Sequence, residues 1–179
     1  MAIWKAALEV LGTKKQNEFA SVPGAELSIK LLDAVDIEGI VHTFSKWGKK
    51  AKLFERYLDE QQRGERIVLI AILGPRVVGY TTLIWRSPRE TFLAQNIPEI
   101  MDLNVITNVQ GRGIGSSLIR ACEKAAAERS YPIIGICPGQ TAQYAKAQRL
   151  YPALGYSTIG YGFDEPEHLP IAQMTKRLQ

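Results

Sequence analysis

The segment LNVITNVQGRGIGSSLI, residues 103–119, joins an apolar run to a helical pattern through three glycines at alternate positions. Glycine costs about 1 kcal/mol relative to alanine inside a helix, so these glycines need a compensating role. The first amides of a helix lack intrahelical partners and carry partial positive charge, and glycines allow an anion to approach them. We therefore interpret the segment as a phosphate-binding turn, in which Arg112 adds a charge and Ser116 a hydroxyl.

Two nucleotide-binding motifs fit this turn less well. A P-loop ends in Gly-Lys-Ser/Thr, which the segment does not contain. A dinucleotide fingerprint matches Gly111 and Gly113, but its third glycine is replaced by Ser116. The next apolar run, YPIIGIC (131–137), ends in cysteine where a ribose-binding carboxylate is expected. A turn that serves packing alone is the remaining alternative.

Hydrophobic periodicity predicts the elements before the turn. Residues 3–11 carry one apolar helical stripe, and a polar connector follows. LSIKLL alternates like a strand, and two amphipathic helices follow it. Two β-rich runs flanking a Gly-Pro turn predict a hairpin. The predicted elements before the turn are a helix at 3–11, a strand at 27–32, helices at 35–44 and 53–58, and hairpin strands at 66–73 and 77–85.

Further patterns predict the elements around and after the turn. IPEIMDLNVI is a third long strand candidate, and SPRETFLAQN before it has the composition of a loop. The order of helices and strands indicates one mixed α/β layer structure. The predicted elements here are strands at 97–106, 131–137, 154–163 and 171–178, and helices from 114 and through 144–151.

Composition places the chain among soluble globular proteins. It has 179 residues, 46% hydrophobic and 22% charged residues, and a net charge of +4. The charge favours anionic ligands but is too small to indicate nucleic acid, and no apolar run reaches the roughly 20 residues of a membrane span. With two cysteines, interpreted as buried free thiols, and no cleavage site after the N-terminal apolar stretch, we expect a cytoplasmic protein.

Two motifs resemble those of the GNAT superfamily, the acetyl-CoA-dependent N-acetyltransferases. QGRGIG (110–115) resembles the pyrophosphate-binding pattern Gln/Arg-x-x-Gly-x-Gly/Ala through Gln110, Gly113 and Gly115. AQRLYPALGY (147–156) resembles the pattern Ala-x-x-Leu-Tyr-x-x-x-Gly-Tyr/Phe through Ala147, Leu150, Tyr151, Gly155 and Tyr156. The element order also agrees from about residue 27 to 178, so the resemblance covers a domain at 27–179. Residues 1–26 form an N-terminal helix and connector outside it.

The resemblance implies a fold and a cofactor site. The fold is an α/β (mixed α+β) GNAT fold: a mostly antiparallel mixed sheet of about seven strands, a splay between strands 4 and 5, and helices on both faces. Pantetheine of acetyl-CoA is expected beside the backbones of Leu103, Asn104 and Val105, with the Leu103 amide donating to the thioester oxygen. The residues expected at the pyrophosphate are Gln110, Gly111, Arg112, Gly113, Ile114, Gly115 and Ser116.

The resemblance also nominates catalytic residues. Glu99 lies eleven residues before Gln110, the offset of the base in histone-type members, and is the first choice of base. Asp102 is the alternative, although strand alternation places it on the opposite face unless a bulge intervenes. Tyr151 occupies the place of the family's general acid. Tyr144 stands where the family often has a cofactor-binding asparagine, and either stacks on the cofactor or packs.

We therefore expect an N-acetyltransferase that acts by direct attack of an amine on the thioester. The alternatives are an acyl-CoA-binding sensor without turnover and an interaction protein that keeps the fold. The acceptor, a small molecule or peptide amine, is expected between residues 34 and 63 and near Trp85 and Phe163. Trp47, Tyr80 and Trp85 either line that cleft or belong to the core. We expect no metal, nucleic acid or membrane partner, and a homodimer stays open.

Overall fold

The computed structural model describes residues 26–165 and 168–179. The helix predicted at residues 3–11 lies outside these ranges. Within these ranges the chain forms five helices and seven strands, with short 3₁₀ turns between some of them, and all except the helix at Glu90–Leu93 occur in the order expected from the sequence. The helices are α1 (Ile37–Phe44), α2 (Ala51–Gln62), α3 (Glu90–Leu93), α4 (Ile114–Glu128) and α5 (Ala145–Ala153). The strands are β1 (Leu27–Leu31), β2 (Arg66–Leu73), β3 (Arg76–Ile84), β4 (Glu99–Val105), β5 (Ile133–Ile136), β6 (Ser157–Asp164) and β7 (Leu169–Arg177).

The strands form one mixed sheet in the order β1-β2-β3-β4-β5-β7-β6. β1 pairs antiparallel with β2, and β7 pairs antiparallel with both β5 and β6. β4 and β5 pair parallel through Glu99 with Gly135 and Ile100 with Ile136. The expectation of a mostly antiparallel seven-stranded mixed sheet is confirmed.

The predicted β2–β3 hairpin is confirmed, with Gly74 and Pro75 as its turn. Gly74 has a φ of 59°, a left-handed backbone that glycine adopts without a steric penalty. β2 and β3 are buried over most of their length, as expected for apolar runs at the centre of a sheet. The continuous apolar sequence of these two strands therefore reflects burial on both faces.

One element differs from the sequence prediction. The segment expected to be a loop contains α3, a single helical turn whose Phe92 is fully buried. A Cβ added to Gly135 of β5 would lie 2.6 Å from the Phe92 ring, so the strand needs glycine there to admit the ring. A four-residue helix is too short to produce a helical period, which explains why the pattern did not reveal it.

The described residues fall into two compact units, each with its own buried side chains. The first unit comprises residues 26–83 and 102–122, and the second 84–101, 123–165 and 168–179. In the first unit, Tyr80 packs edge-on against Phe44 and Phe54, with ring centroids 5.0 and 5.2 Å away. The core of this unit comprises Leu32, Ile40, Phe44, Phe54, Tyr57, Val68, Ile70, Val77 and Tyr80.

Both cysteines are free thiols. Cys122 is buried as predicted, whereas Cys137 is only partly buried because it lies just after the end of β5. Across the described ranges, no helix has the length and apolar character needed to span a membrane.

Candidate active site

The glycine turn leads directly into α4, as the sequence predicts. Gly111 and Gly113 both have a φ of 78°, in the left-handed region that favours glycine. A Cβ added to Gly111 would meet nothing within 4 Å, so this side of the turn is open. The Ser117 amide donates to the Gly113 carbonyl at 2.9 Å and closes the first helical turn. The amides before Ser117 belong to the helix start, where the backbone provides no intrahelical acceptors.

The Gln110 side chain ties this turn to the end of β4. Its Nε2 donates to the Val105 carbonyl at 2.8 Å, and its backbone amide donates to Thr107 at 3.3 Å. Val109 is buried beneath the turn, whereas Arg112 is partly exposed. The segments predicted to hold pantetheine and pyrophosphate are therefore fixed to each other by a side-chain hydrogen bond within the first unit.

β4 continues beyond the end of its parallel partner. Its pairing with β5 comprises Glu99 with Gly135 and Ile100 with Ile136, where β5 ends, whereas β4 runs on to Val105. Asp102 then has a φ of 51°, which interrupts the regular alternation of the strand. Aspartate is one of the few non-glycine residues that adopt this backbone readily. The backbone of β4 is therefore irregular at Asp102, and whether Asp102 shares a face with Glu99 stays a prediction.

The Asp102 carboxylate accepts hydrogen bonds from four side chains. Oδ2 accepts from the phenols of Tyr80 at 2.8 Å and Tyr57 at 3.2 Å. Oδ1 accepts from Lys49 Nζ at 2.7 Å and Asn104 Nδ2 at 2.8 Å. The same Asn104 Nδ2 donates to the backbone carbonyl of Asp102 at 2.9 Å. We call these five residues the Asp102 cluster.

The electrostatics of the Asp102 cluster keep its phenols protonated. Burial and the charge of Asp102 raise the pKa of Tyr57 to about 12, and the same two causes raise the pKa of Tyr80. Both phenols therefore stay donors at neutral pH. The Asp102 side chain is 20% exposed and the Lys49 side chain 24% exposed, so this ion pair meets solvent, whereas Tyr57 and Tyr80 are buried.

The Glu99 carboxylate is held differently, in the second unit. Its side chain is 1% exposed, and Oε1 accepts from Arg89 Nε at 2.8 Å while Oε2 accepts from Ser87 Oγ at 2.6 Å. Arg89 also donates to Asp164 at 2.9 Å. Burial, followed by the Glu99 charge, raises the pKa of the Cys137 thiol, which hydrogen-bonds to Glu99. We call these five residues the Glu99 cluster. Both carboxylate oxygens of Glu99 therefore have close donors.

Tyr151 and Tyr144 both belong to the second unit. Tyr151 lies on α5 and is buried, and burial raises the pKa of its phenol. Tyr144 is partly buried, and its ring lies against Gly139 so closely that a Cβ there would collide with it. Gln148 Nε2 donates to the Gly139 carbonyl at 2.9 Å and holds the same loop. Tyr144 therefore packs on the loop that follows β5.

The sequence of this chain matches a known protein family over the range that contains the site. Residues 36–156, more than half of the chain, match the model of the acetyltransferase (GNAT) family. The chain belongs to the GNAT acetyltransferase family. The matched range contains the glycine turn, Tyr151, and strand β4, which carries both Glu99 and Asp102. The resemblance drawn from the two motifs is confirmed, and the reaction class of the protein is acetyl transfer.

Solved structures of other GNAT proteins share the fold. A ribosomal-protein-alanine N-acetyltransferase from Brucella melitensis is 20% identical, with a TM-score of 0.69 over 84% of this chain and 99% of the other. Arabidopsis thaliana NAA60 in complex with acetyl-CoA is 14% identical, with a TM-score of 0.68 over 84% and 98%. A spermidine N-acetyltransferase SpeG chimera from Vibrio cholerae and hSSAT is 16% identical, with a TM-score of 0.67 over 84% and 95%. No curated protein sequence matches the chain significantly.

The residues predicted to form the site of this GNAT protein are distributed over its two units. The first unit contains residues 103–105, the turn at 110–116 and Asp102. The second contains Glu99, Tyr144 and Tyr151. Their predicted roles in binding and catalysis stay predictions. In the described part of the GNAT chain, no group of three or more His, Cys, Asp or Glu side chains is placed to hold a metal ion.

Sequence reasoning missed several residues that surround the two carboxylates. Lys49 lies in a polar run whose composition resembles any solvated surface, and Arg89 lies in the segment read as a loop. Tyr57 lies within the amphipathic helix predicted at 53–58, and that pattern did not indicate that its hydroxyl donates to Asp102. The only signal available was indirect: an aspartate inside an apolar strand needs donors from elsewhere in the chain.

The aromatic residues considered for an acceptor cleft separate into two groups. Tyr80 and Trp85 are buried, whereas Trp47 is 43% exposed. Trp47 lines a surface depression of about 930 Å³ in the first unit, together with residues of α1, the β2–β3 turn and residues 106–108. The residues predicted to bind the cofactor do not line this depression.

Proposed function

We propose that this protein transfers the acetyl group of acetyl-CoA to a primary amine by direct attack, in the cytoplasm. The observation that carries the proposal is the glycine turn before Ile114: Gly111 and Gly113 are left-handed, the Cβ side of Gly111 is open, and the first amides of the helix have no intrahelical acceptors. The NAA60 structure, which shares the fold, is a complex with acetyl-CoA, and this supports the same co-substrate here.

The turn fits the diphosphate of the coenzyme. Gly111 leaves its side of the turn open, and Arg112 provides a nearby positive charge. The backbone of Leu103–Val105 would hold the pantetheine arm, with the Leu103 amide donating to the carbonyl oxygen of the thioester. When bound, acetyl-CoA supplies the acetyl group as an activated thioester. Gln110 positions the two segments because its side chain bonds the end of β4.

The acceptor amine must lose a proton before it attacks. Glu99 and Asp102 are the two candidate carboxylates, and the geometry favours Asp102. Glu99 is buried and bound by Arg89, whereas the Asp102 side chain is 20% exposed and pairs with Lys49 at the solvent side. In our proposal the Asp102 carboxylate holds the acceptor ammonium, and the proton leaves to water before the amine attacks.

Tyr151 is the proposed proton donor to the departing thiolate. Burial keeps the phenol protonated at neutral pH because it raises its pKa. Replacement of Tyr151 by phenylalanine should depress turnover much more than binding of the coenzyme.

The competing proposal is an acyl-CoA-binding module without turnover. It needs the glycine turn but neither Asp102 nor Tyr151. Release of free CoA in the presence of an amine panel separates the two. Turnover that falls at least tenfold in both Asp102→Asn and Tyr151→Phe, with calorimetric affinity for CoA retained, supports the enzyme. Coenzyme binding with no amine-dependent CoA release supports the module.

The glycine turn itself is tested by Gly113→Val, with Gly64→Val as the matched control. The two glycines have similar φ values, 78° and 76°, so valine at either position must adopt the left-handed region. Gly64 ends α2 and has open space around it. Titration calorimetry should show affinity for CoA lost in Gly113→Val and retained in Gly64→Val. Retained affinity in Gly113→Val would contradict the assignment of this turn to the diphosphate.

A further inference from the structure

We propose that the Lys49–Asp102 pair selects a zwitterionic acceptor, an α-amino acid whose ammonium binds Asp102 and whose carboxylate binds Lys49. The inference rests on the proposed function and names the substrate class of the same site. It starts from the Asp102 cluster, where one carboxylate and one ammonium lie 2.7 Å apart with partial exposure to solvent.

The ion pair of the cluster is partly exposed and therefore available to a ligand. Asp102 Oδ2 is occupied by the hydroxyls of Tyr57 and Tyr80, both of which are buried. Oδ1 accepts from Lys49 and Asn104, and the Lys49 side chain is the more exposed partner of the ion pair. A molecule that enters from solvent therefore meets a positive and a negative group side by side.

The charge balance of this pair discriminates between two kinds of amine. A simple alkylammonium that takes the place of Lys49 on Asp102 leaves the lysine without its partner in a partly buried position. A zwitterion opens the same pair and forms two new ones, ammonium with Asp102 and carboxylate with Lys49. The zwitterion keeps both Lys49 and Asp102 paired, whereas the alkylammonium leaves Lys49 to water, so the zwitterion binds better by the modest free energy of one partly exposed ion pair.

The position of the pair agrees with a place at the reaction centre. Asp102 immediately precedes Leu103, whose amide is the proposed donor to the thioester oxygen. An ammonium bound to Asp102 would therefore lie at the beginning of the strand segment assigned to the pantetheine arm. Lys49 follows Gly48, whose left-handed φ of 73° ends the 3₁₀ turn and directs the chain into α2. Lys49 is half-buried, whereas its neighbours Lys46 and Lys50 are exposed.

The test uses acceptor pairs that differ only by the carboxylate. We choose phenylalanine with phenethylamine, leucine with isoamylamine, and arginine with agmatine. For each pair, kcat/KM is measured with acetyl-CoA by release of free CoA. At least one amino acid should exceed its decarboxylated partner by about threefold or more, and none should fall below it. A ratio at or below one in every pair overturns the proposal, and the acetyltransferase function then stands on its own.

Three variants test whether Lys49 causes the preference for amino acids over their decarboxylated partners. Lys49→Met should bring the ratio to one or below by lowering kcat/KM for amino acids, and Lys49→Arg should keep most of it. Lys46→Met, which changes an exposed lysine of the same segment, should leave the ratio as in the wild type. Calorimetric affinity for CoA should be the same in all three. A preference that survives Lys49→Met overturns the role of this lysine.

A binding measurement tests the proposal if no amine is acetylated. In that case the proposed enzyme function fails, and the same pairs are titrated into the CoA-saturated protein. Binding of amino acids about threefold or more tighter than their partners, lost in Lys49→Met, supports the zwitterion site. Equal binding, or binding of no member of the panel, overturns it.

Discussion

Glu99 and Asp102 lie on the same strand, three positions apart, and their carboxylates are held by opposite means. Glu99 is 1% exposed and pairs with a guanidinium, and Ser87 binds its second oxygen. Asp102 is 20% exposed and accepts from two neutral phenols, one amide and one lysine. The partners of a carboxylate, more than its position in a motif, decide whether a ligand can reach it.

The difference also has an energetic meaning. A buried ion pair often adds little net stability because desolvation of both charges offsets their attraction, but removal of one partner leaves an uncompensated charge. Removal of one partner from a partly exposed pair lowers the free energy of unfolding far less, because water replaces the lost partner. The Glu99 cluster should therefore behave as part of the structure and the Asp102 cluster as a site that can exchange partners.

The largest effect is expected from Arg89→Ala. The substitution removes the charge that compensates Glu99, which is buried, so the free energy of unfolding should fall by about 3–5 kcal/mol. Urea denaturation measures the loss. The control is Asp164→Asn, which removes only the 46%-exposed partner of Arg89 and should cost less than about 1 kcal/mol. Equal losses of free energy of unfolding in the two variants would contradict the prediction that the buried partner of Arg89 matters more than the exposed one.

A smaller effect, visible only at high pH, is expected from Tyr57→Phe. The pKa of Tyr57 is about 12 in the folded protein against an ordinary value of 10. The folded state holds this proton more tightly, so Tyr57 contributes full stability below pH 10 and loses it as pH rises through 12. The advantage of the wild type over Tyr57→Phe should shrink by on the order of 2 kcal/mol across that window. A constant difference between pH 9 and pH 12, measured by urea denaturation, would refute the shift.

The smallest effect is expected from Lys49→Met. Because Lys49 and Asp102 are both partly exposed, and three neutral donors remain on the carboxylate, the free energy of unfolding should change by less than about 1 kcal/mol. Thermal unfolding is sufficient to measure it. A loss comparable to that of Arg89→Ala would make Lys49 a structural residue and would remove the contrast between the two clusters.

The sequence predicted those features whose physical cause is local. The β2–β3 hairpin follows from two apolar runs around Gly74–Pro75, and the glycine turn follows from the spacing of residues 111–115. Both need only neighbouring residues to be recognised. The helix α3 was missed because one turn has no period to detect.

The surroundings of the two carboxylates could not be predicted in the same way. Asp102 collects its donors from positions 49, 57, 80 and 104, which only the folded chain brings together. Its left-handed backbone also breaks the strand alternation on which the prediction of its face depended. The offset from Gln110 pointed to Glu99, but no pattern in the sequence indicated that Arg89 and Ser87 bind it.

The left-handed backbone at Asp102 has a consequence for how such a protein can evolve. Asparagine and glycine accept this backbone as well as aspartate does, and each is one nucleotide change away from an aspartate codon. Neither replacement touches the glycine turn that is proposed to hold the coenzyme. With the role proposed for Asp102, a lineage would pass in a single mutational step from a transferase to a folded protein that still binds its donor molecule.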